Sequence, residues 1–468
     1  MPIAAASQPL PGPSGPLIGL RESVAYIRDP DRFIAERVER FGPVFQTTLF
    51  FRKTAVLGAP EGVEAFLQQE GSIRASALPA PFTELHTAYG ALNQAGDRHR
   101  ATRHSYAPLF SSAAFDRYLP RLDAAISGFC DWAAQQSAVP IALEAKRFCL
   151  QLFAELFAGE TLSEQELSDF NTYNRALLTL SKQLPSFDQG KQALERLRGS
   201  MAARLQRFRS GSLSAACFQQ FSATRDEHGE SWSDERIITA TILLIWGAYI
   251  EVAALMANAL TMLTGRSDLR ATILSEAETA GLLHLDPEHS QAVWKLPTAE
   301  GVLRETLRLL PPGGGGFRIS SKPLLVGGFE VPAGYVVTAD PRIGNRMAAL
   351  FPEPDRFAPE RWIRSGQDAA SASRCPFAGT ATSLPRGGWF PGGIGRHGCP
   401  GLPLAELCGR VFLLRWLQRI EAWHPIGAGA RAVPYELLPI KIPTDAYTLA
   451  ITASSAATAL PTPSSRAI

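Results

Sequence analysis

A chain of 468 residues with 46% hydrophobic and 19% charged residues can build a large core, which argues against wholesale disorder. Its formal net charge of +2 is too small to point to nucleic acid or an acidic membrane surface as a partner. Six scattered cysteines, with no CxxC pair, argue against a disulfide framework and fit a reducing, cytoplasmic setting.

Met1 to Leu20 is rich in Ala, Pro and Gly. It lacks a basic stretch followed by an apolar run, so it predicts neither a signal peptide nor an N-terminal anchor. The run from Pro9 to Pro16 predicts an extended lead-in, with residues 1–10 disordered. A helix is predicted from Asp31 to Phe41. Phe45–Phe51 and Thr54–Leu57 then predict a small hairpin from their β-prone residues. From Glu61 to Leu310 helical periodicity dominates.

Within that region Ile237 to Thr264 is almost wholly apolar, and Glu251 is its only charge. About 20 apolar residues are enough to span a bilayer. The competing reading is a long helix at the centre of a large protein, buried all round. The acid at its midpoint and the lack of a second such span favour the buried helix and a soluble protein. Its start is predicted near Ser233-Asp234-Glu235, which offers a cap and first-turn acids, and its end at Gly265.

After Pro311-Pro312 the texture changes. Gly313 to Gly316 break any helix, and Pro323–Pro332 and Tyr335–Ala339 predict short strands around glycine turns. Pro352 to Pro359 predicts a meandering loop and Gly366 to Gly395 a long irregular stretch. A helix is predicted from Pro403 to about Ile420, and the tail beyond Ser454 is predicted to be disordered.

The chemistry concentrates in Gly392-Gly-Ile-Gly-Arg-His-Gly-Cys-Pro-Gly401, directly before that helix. A lone cysteine is usually a small core residue. Here glycines, Gly393, Gly395 and Gly401 among them, would let the backbone approach a flat ligand closely. The helix dipole, with Arg396 and His397, would favour thiolate over thiol. Such a thiolate at Cys399 suits a soft metal such as haem iron.

This loop resembles the haem-binding loop of the cytochrome P450 superfamily, with Gly395, His397, Cys399 and Gly401 in register and His397 where the family usually has Arg. Glu305-Thr-Leu-Arg308 is similar to the family's Glu-x-x-Arg helix. Phe357-Ala-Pro-Glu-Arg-Trp362 is similar to the downstream motif, whose Arg361 would close a network with Glu305 and Arg308. The segment Gly96–Arg103 resembles the helix that supplies propionate partners. The resemblance spans roughly Pro11 to Leu449. Phe41–Phe50 and Pro311–Arg318 look like the branch of retinoic-acid hydroxylases and their cyanobacterial relatives.

The resemblance implies one mainly α domain over residues 1–468, a triangular prism with a small β region. Haem b would lie between the long helix and the cysteine loop. Cys399 would be the metal ligand, and His99, Arg103, Arg318 and His397 would hold the propionates. Trp246, Gly247, Tyr249, Ile250 and Phe317 would line the distal pocket, with Phe82, His86 and Tyr89 in its variable wall. The expected protein is a monomeric oxidoreductase of specialised metabolism acting on a small lipophilic or aromatic molecule. A ferredoxin and its reductase are the candidate partners, with no nucleic acid and no membrane.

Two departures from the family stand out. An aromatic residue is expected seven positions before the cysteine, but Gly392 is there. The nearest aromatics are Trp389 and Phe390, as if a short insertion had reshaped the loop. The long helix also lacks the family's acid–alcohol pair. With Gly247 aligned, Tyr249 and Ile250 take those positions. A shift of two makes Glu251 the acid but leaves Val252 as the alcohol, and no Ser or Thr occurs between Thr241 and Thr261. Three readings follow. The chain is a monooxygenase that recruits Glu251, water or a substrate hydroxyl. Or it acts on an existing O–O or N–O bond, as peroxygenases, isomerases, dehydratases or nitrene-type transferases do. Or it binds haem or a ligand without turnover.

Overall fold

The computed structural model describes residues 8–179, 181–282, 290–313, 315–363, 384–385, 387–438 and 440–454. Expectations for the first seven residues, for the tail beyond Ser454 and for most of the Gly366–Gly395 stretch lie outside them.

The chain is mainly helical with a small β region. Its centre is the helix Asp234–Leu263, packed between Ile141–Ala158 and Leu402–Arg419. Ser233 caps it, its hydroxyl accepting the Arg236 N–H at 3.3 Å. Just past its end Gly265 takes φ +75°. Among the described residues this is the one helix long and apolar enough to cross a bilayer, yet 72% of its most apolar 18-residue stretch is buried inside the protein. Burial all round is the property of a core helix.

The largest sheet has five strands, in the order Val44–Leu49, Arg52–Leu57, Val336–Ala339, Arg318–Ser320, Ile73–Ser76. The predicted hairpin is its first pair, with Thr47 opposite Thr54. The predicted helix before it, Pro30–Phe41, is present and is capped by Asp29, whose carboxylate accepts the Arg32 N–H at 3.0 Å. Gln8–Pro9, inside the segment expected to be disordered, pairs in parallel with Phe329–Glu330.

A long helix was not expected: Pro16–Arg28 is helical directly after the Pro9–Pro16 run, in a stretch where the sequence predicted no element. Its buried residues are Gly19, Glu22, Ser23 and Tyr26, while Leu17, Leu20, Val24 and Ile27 face outward. A helix with polar groups inside and apolar groups outside does not match the pattern of a core-facing helix.

The segment before the cysteine loop is tied to the helical core through one carboxylate. Glu305, on the helix Pro297–Leu309, is fully buried with Arg308. Arg308 donates to it twice, at 2.9 and 2.7 Å, in a bidentate pair. Arg361 Nε, Trp362 Nε1 and the Ala358 N–H donate at 3.0, 2.8 and 3.0 Å. Arg308 also donates to the carbonyls of Asn345, Pro354 and Arg356. Burial raises the Glu305 pKa, but these donors outweigh it and the carboxyl is held below its ordinary value. Glu305→Gln would leave two guanidinium groups desolvated without a counter-charge. It is expected to cost about 3–5 kcal/mol, read as a lower urea midpoint at unchanged m. A loss under about 1 kcal/mol would mean that the network carries no such strain.

Candidate active site

The cysteine loop is a set of tight turns. Gly393 and Gly395 take φ +77° and +73°, a region that excludes most side chains. The Cys399 N–H donates to the Gly392 carbonyl at 2.7 Å, and the Gly398 N–H to Gly395 at 3.0 Å. Cys399 is exposed, and a Cβ on Gly401 would lie in contact with its Sγ at 3.7 Å. Phe390 is buried in the cluster that also holds Val63 and Ile73. Trp389 stands 5.0 Å from Trp362 in ring centroids, which joins the loop to the Glu305 network. The loop is also pinned from afar: Glu70 Oε1 accepts the Arg396 N–H at 2.7 Å. Nothing in the sequence signals that contact, which spans 326 positions.

Burial pushes the Cys399 thiol up, and Glu251 pushes in the same direction. The amides of Gly401 and Leu402, at the start of the following helix, and Arg103 pull it down. The expected support from Arg396 and His397 is corrected here. The Arg396 side chain points outward toward Glu70. His397 is neutral, its pKa lowered to about 3 by burial, then by Arg318 and its neighbours.

Around the loop the structure gathers His99, Arg103, Arg318 and His397. The two imidazoles lie 3.8 Å apart in centroids. Arg318 Nη2 stands 2.8 Å from His397 Nδ1, and Arg103 Nη2 donates to the Gly398 carbonyl at 2.5 Å. His99 is also neutral, at about 4, from burial and then Arg103 and Arg318. Burial lowers Arg318 to about 10. Among the described residues neither Arg103 nor Arg318 has a carboxylate within ion-pair distance. Two desolvated guanidinium groups call for anions from outside the chain. His99, Arg103 and His397 share with Glu70 and Arg396 a cavity of about 660 Å³.

Opposite stands the central helix. Between Ile237 and Leu260 most of it is buried, but Leu244, Trp246, Gly247, Ala248 and Glu251 are not; Leu244, Gly247, Ala248 and Glu251 recur at helical spacing on one face, while Trp246 turns to Asn174. Glu251 is near enough to influence the Cys399 thiol, so this face looks toward the cysteine loop. Its Oε2 is out of solvent and has no hydrogen-bond partner. Burial raises its pKa to about 7. Tyr249 and Ile250 lie off this face. Both are buried, and Tyr249 feels Glu251, Asp445 and Glu436, the last two near the chain's C-terminal strands.

Phe82, His86 and Trp246 come together as an aromatic wall. Phe82 stacks on His86 at 4.3 Å, and His86 meets Trp246 edge-on at 4.8 Å. Trp246 Nε1 donates to Asn174 at 2.9 Å, a partner that sequence reading did not single out. His86 is buried and kept neutral by that burial, at about 3, and its Nδ1 has no partner. Tyr89 sits instead beneath the Arg236 guanidinium, 6.0 Å away, and Phe317 packs on Tyr26 at 6.5 Å.

The residues present fit an iron porphyrin. The face opposite the helix offers one exposed thiol, glycines that leave room for a flat ring, and two guanidiniums without a carboxylate partner among the described residues, suited to two propionates.

Comparison with known proteins agrees with this geometry. The family model described as Cytochrome P450 matches residues 9–426. The putative cytochrome P450 120 of Synechocystis sp. is 26% identical over 424 residues, covering 89% of this chain and 91% of that protein. Cytochrome P450 26B1 of Xenopus tropicalis is 25% identical over 407 residues, covering 83% and 78%. The structure titled retinoic acid bound cyanobacterial CYP120A1 superposes with a TM-score of 0.84 at 24% identity, over 96% of this chain and all of that one.

Purified protein is expected to carry haem, and its reduced carbon monoxide complex to show the red-shifted Soret band of thiolate ligation. Cys399→Ser should abolish that band. Arg318→Ala should weaken haem retention without moving it. A wild-type spectrum of the histidine-ligated kind would overturn the assignment.

Proposed function

This chain belongs to the cytochrome P450 family, and on that premise we propose that it is a monooxygenase-type oxidoreductase of small lipophilic or aromatic molecules in which Cys399 would supply the thiolate that holds the haem iron and Glu251 is the proton carrier. Bound haem supplies a redox-active iron whose thiolate ligand favours breaking a bond held at the metal. His99, Arg103, Arg318 and His397 would hold the propionates, and the chain's further contribution is position, dryness and a proton.

The observation that carries this reading is the open stripe of the central helix. Gly247 leaves room beside the reacting centre. Leu244 and Ala248 line it with apolar surface and exclude water. Glu251 is the acid on that stripe, with one oxygen unpartnered and a pKa raised to about 7. A carboxyl poised near neutrality can hold a proton and release it, the requirement for general acid catalysis. This removes the need for the family's acid–alcohol pair at Tyr249 and Ile250, whose burial suits a packing role.

Phe82, His86 and Trp246 support an aromatic or apolar substrate, with neutral His86 offering one hydrogen bond. The retinoic acid named with the solved relative makes it the first candidate to try. The second reading keeps the same site but starts from an existing O–O or N–O bond. The absence of a Ser or Thr between Thr241 and Thr261 favours it.

Glu251→Gln is expected to lower turnover driven by ferredoxin and its reductase by ~10²–10⁴. Haem content and the carbon monoxide band should stay unchanged. Unaltered turnover in that variant would remove Glu251 from the mechanism. Efficient turnover with hydrogen peroxide alone, insensitive to Glu251→Gln, would favour the second reading.

A further inference from the structure

A buried polar group without a partner marks a place where a ligand can complete the structure. In the aromatic wall His86 is such a group. It is 3% exposed, and its Nδ1 is sealed from solvent without a hydrogen bond. Phe82 covers one face of the ring at 4.3 Å, and Trp246 meets it edge-on at 4.8 Å. On its Cδ2 edge a Cβ at Gly90 would come within 2.8 Å. The imidazole is therefore held in one pose. Asn174 fixes the indole in turn, accepting the Trp246 Nε1–H at 2.9 Å. Trp246 adjoins Gly247 on the central helix, so the wall ends beside the open stripe.

None of Phe82, His86 and Trp246 carries a charge, since burial keeps His86 neutral. The cations around them are already engaged. Arg236, above Tyr89, has Glu227 at 3.8 Å, donates to the Thr102 hydroxyl at 3.3 Å and covers the Trp232 ring at 4.1 Å. Lys182 and Lys191 pair with Glu84. Arg52 reaches the Ala77 carbonyl but stands in water, where an ion pair counts for little. A carboxylate brought to His86 would lose its hydration and meet no free cation. A neutral oxygen would lose less and gain a hydrogen bond. The sealed Nδ1 also bears on the tautomer. An unpaired N–H is harder to bury than an unpaired lone pair, which puts the proton on Nε2 and makes His86 a donor.

Resting on the substrate pocket proposed above, we infer that His86 is a specificity-determining residue that donates from Nε2 to a neutral oxygen of the substrate, so that the site selects uncharged lipophilic aldehydes, ketones, ethers or alcohols over carboxylates. Phe82 and Trp246 hold the apolar or aromatic body of the molecule. Asn174 is a positioning residue that acts through Trp246. The retinoic acid named with the solved relative then matches this site in its body and not in its head group.

The test is titration of the full-length haem-loaded protein with retinal, retinoic acid and the hydrocarbon axerophthene, which share one polyene. The corresponding naphthalene aldehyde, carboxylate and methyl compounds form a second series. Binding is followed by the Soret shift and by equilibrium dialysis. Each aldehyde is expected to bind at least about tenfold tighter than its carboxylate. His86→Phe should weaken the aldehydes roughly fivefold and leave the hydrocarbons unchanged. His86→Gln, which keeps an N–H near the Nε2 position, should restore the preference for aldehyde. Equal or tighter binding of the carboxylates by wild type overturns the inference, whether or not the variants fold. So does a His86→Phe protein of unchanged thermal midpoint that weakens aldehyde and hydrocarbon alike, since His86 would then serve packing only. If neither series binds to protein with an intact carbon monoxide band, the apolar pocket itself fails and the inference falls with it.

Discussion

A single buried carboxylate organises the chain that leads to the cysteine loop. Glu305 has no solvent to turn to, so its charge is stable only while Arg308, Arg361, Trp362 and the Ala358 amide all face it. Those donors come from separate stretches of chain. Satisfying them fixes where the segment after Pro352 must run, and the Trp362–Trp389 contact hands that position on to the cysteine loop. The interaction is better understood as a device that selects one arrangement than as a source of net stability, because desolvating the charges offsets much of their attraction.

The cation cluster beside the loop is built on the opposite logic. Among the described residues Arg103 and Arg318 are sequestered without an internal carboxylate partner, and their two histidine neighbours are neutral. Such a cluster is unfavourable in the empty chain and becomes favourable when a dianionic ligand arrives. Folding of the loop and retention of the prosthetic group should therefore be thermodynamically linked, each stabilising the other.

Much of this was legible in the sequence because its chemistry is local. Glycines at Gly393 and Gly395 announce left-handed turns, Glu305 and Arg308 share a face at three-residue spacing, and Ser233 announces a cap. Three things were not legible. The phase of the central helix could not be chosen from the sequence, since residues all round it are apolar. Only the pattern of burial shows Glu251 on the open face and Tyr249 away from it. Glu70 and Asn174 act across long separations, with no motif to mark them. The Pro16–Arg28 helix was missed because periodicity is read as a core-facing signal, and here the apolar phase faces outward.

The turn at Phe50 and Phe51 also bears on how this sequence has been constrained. Two bulky residues in left-handed backbone cost on the order of 1–3 kcal/mol each, and glycine at either position would relieve it. A chain selected for stability alone would drift toward glycine there, as hairpin turns commonly do. The aromatic rings at these two positions therefore carry a conformational cost that glycine would not.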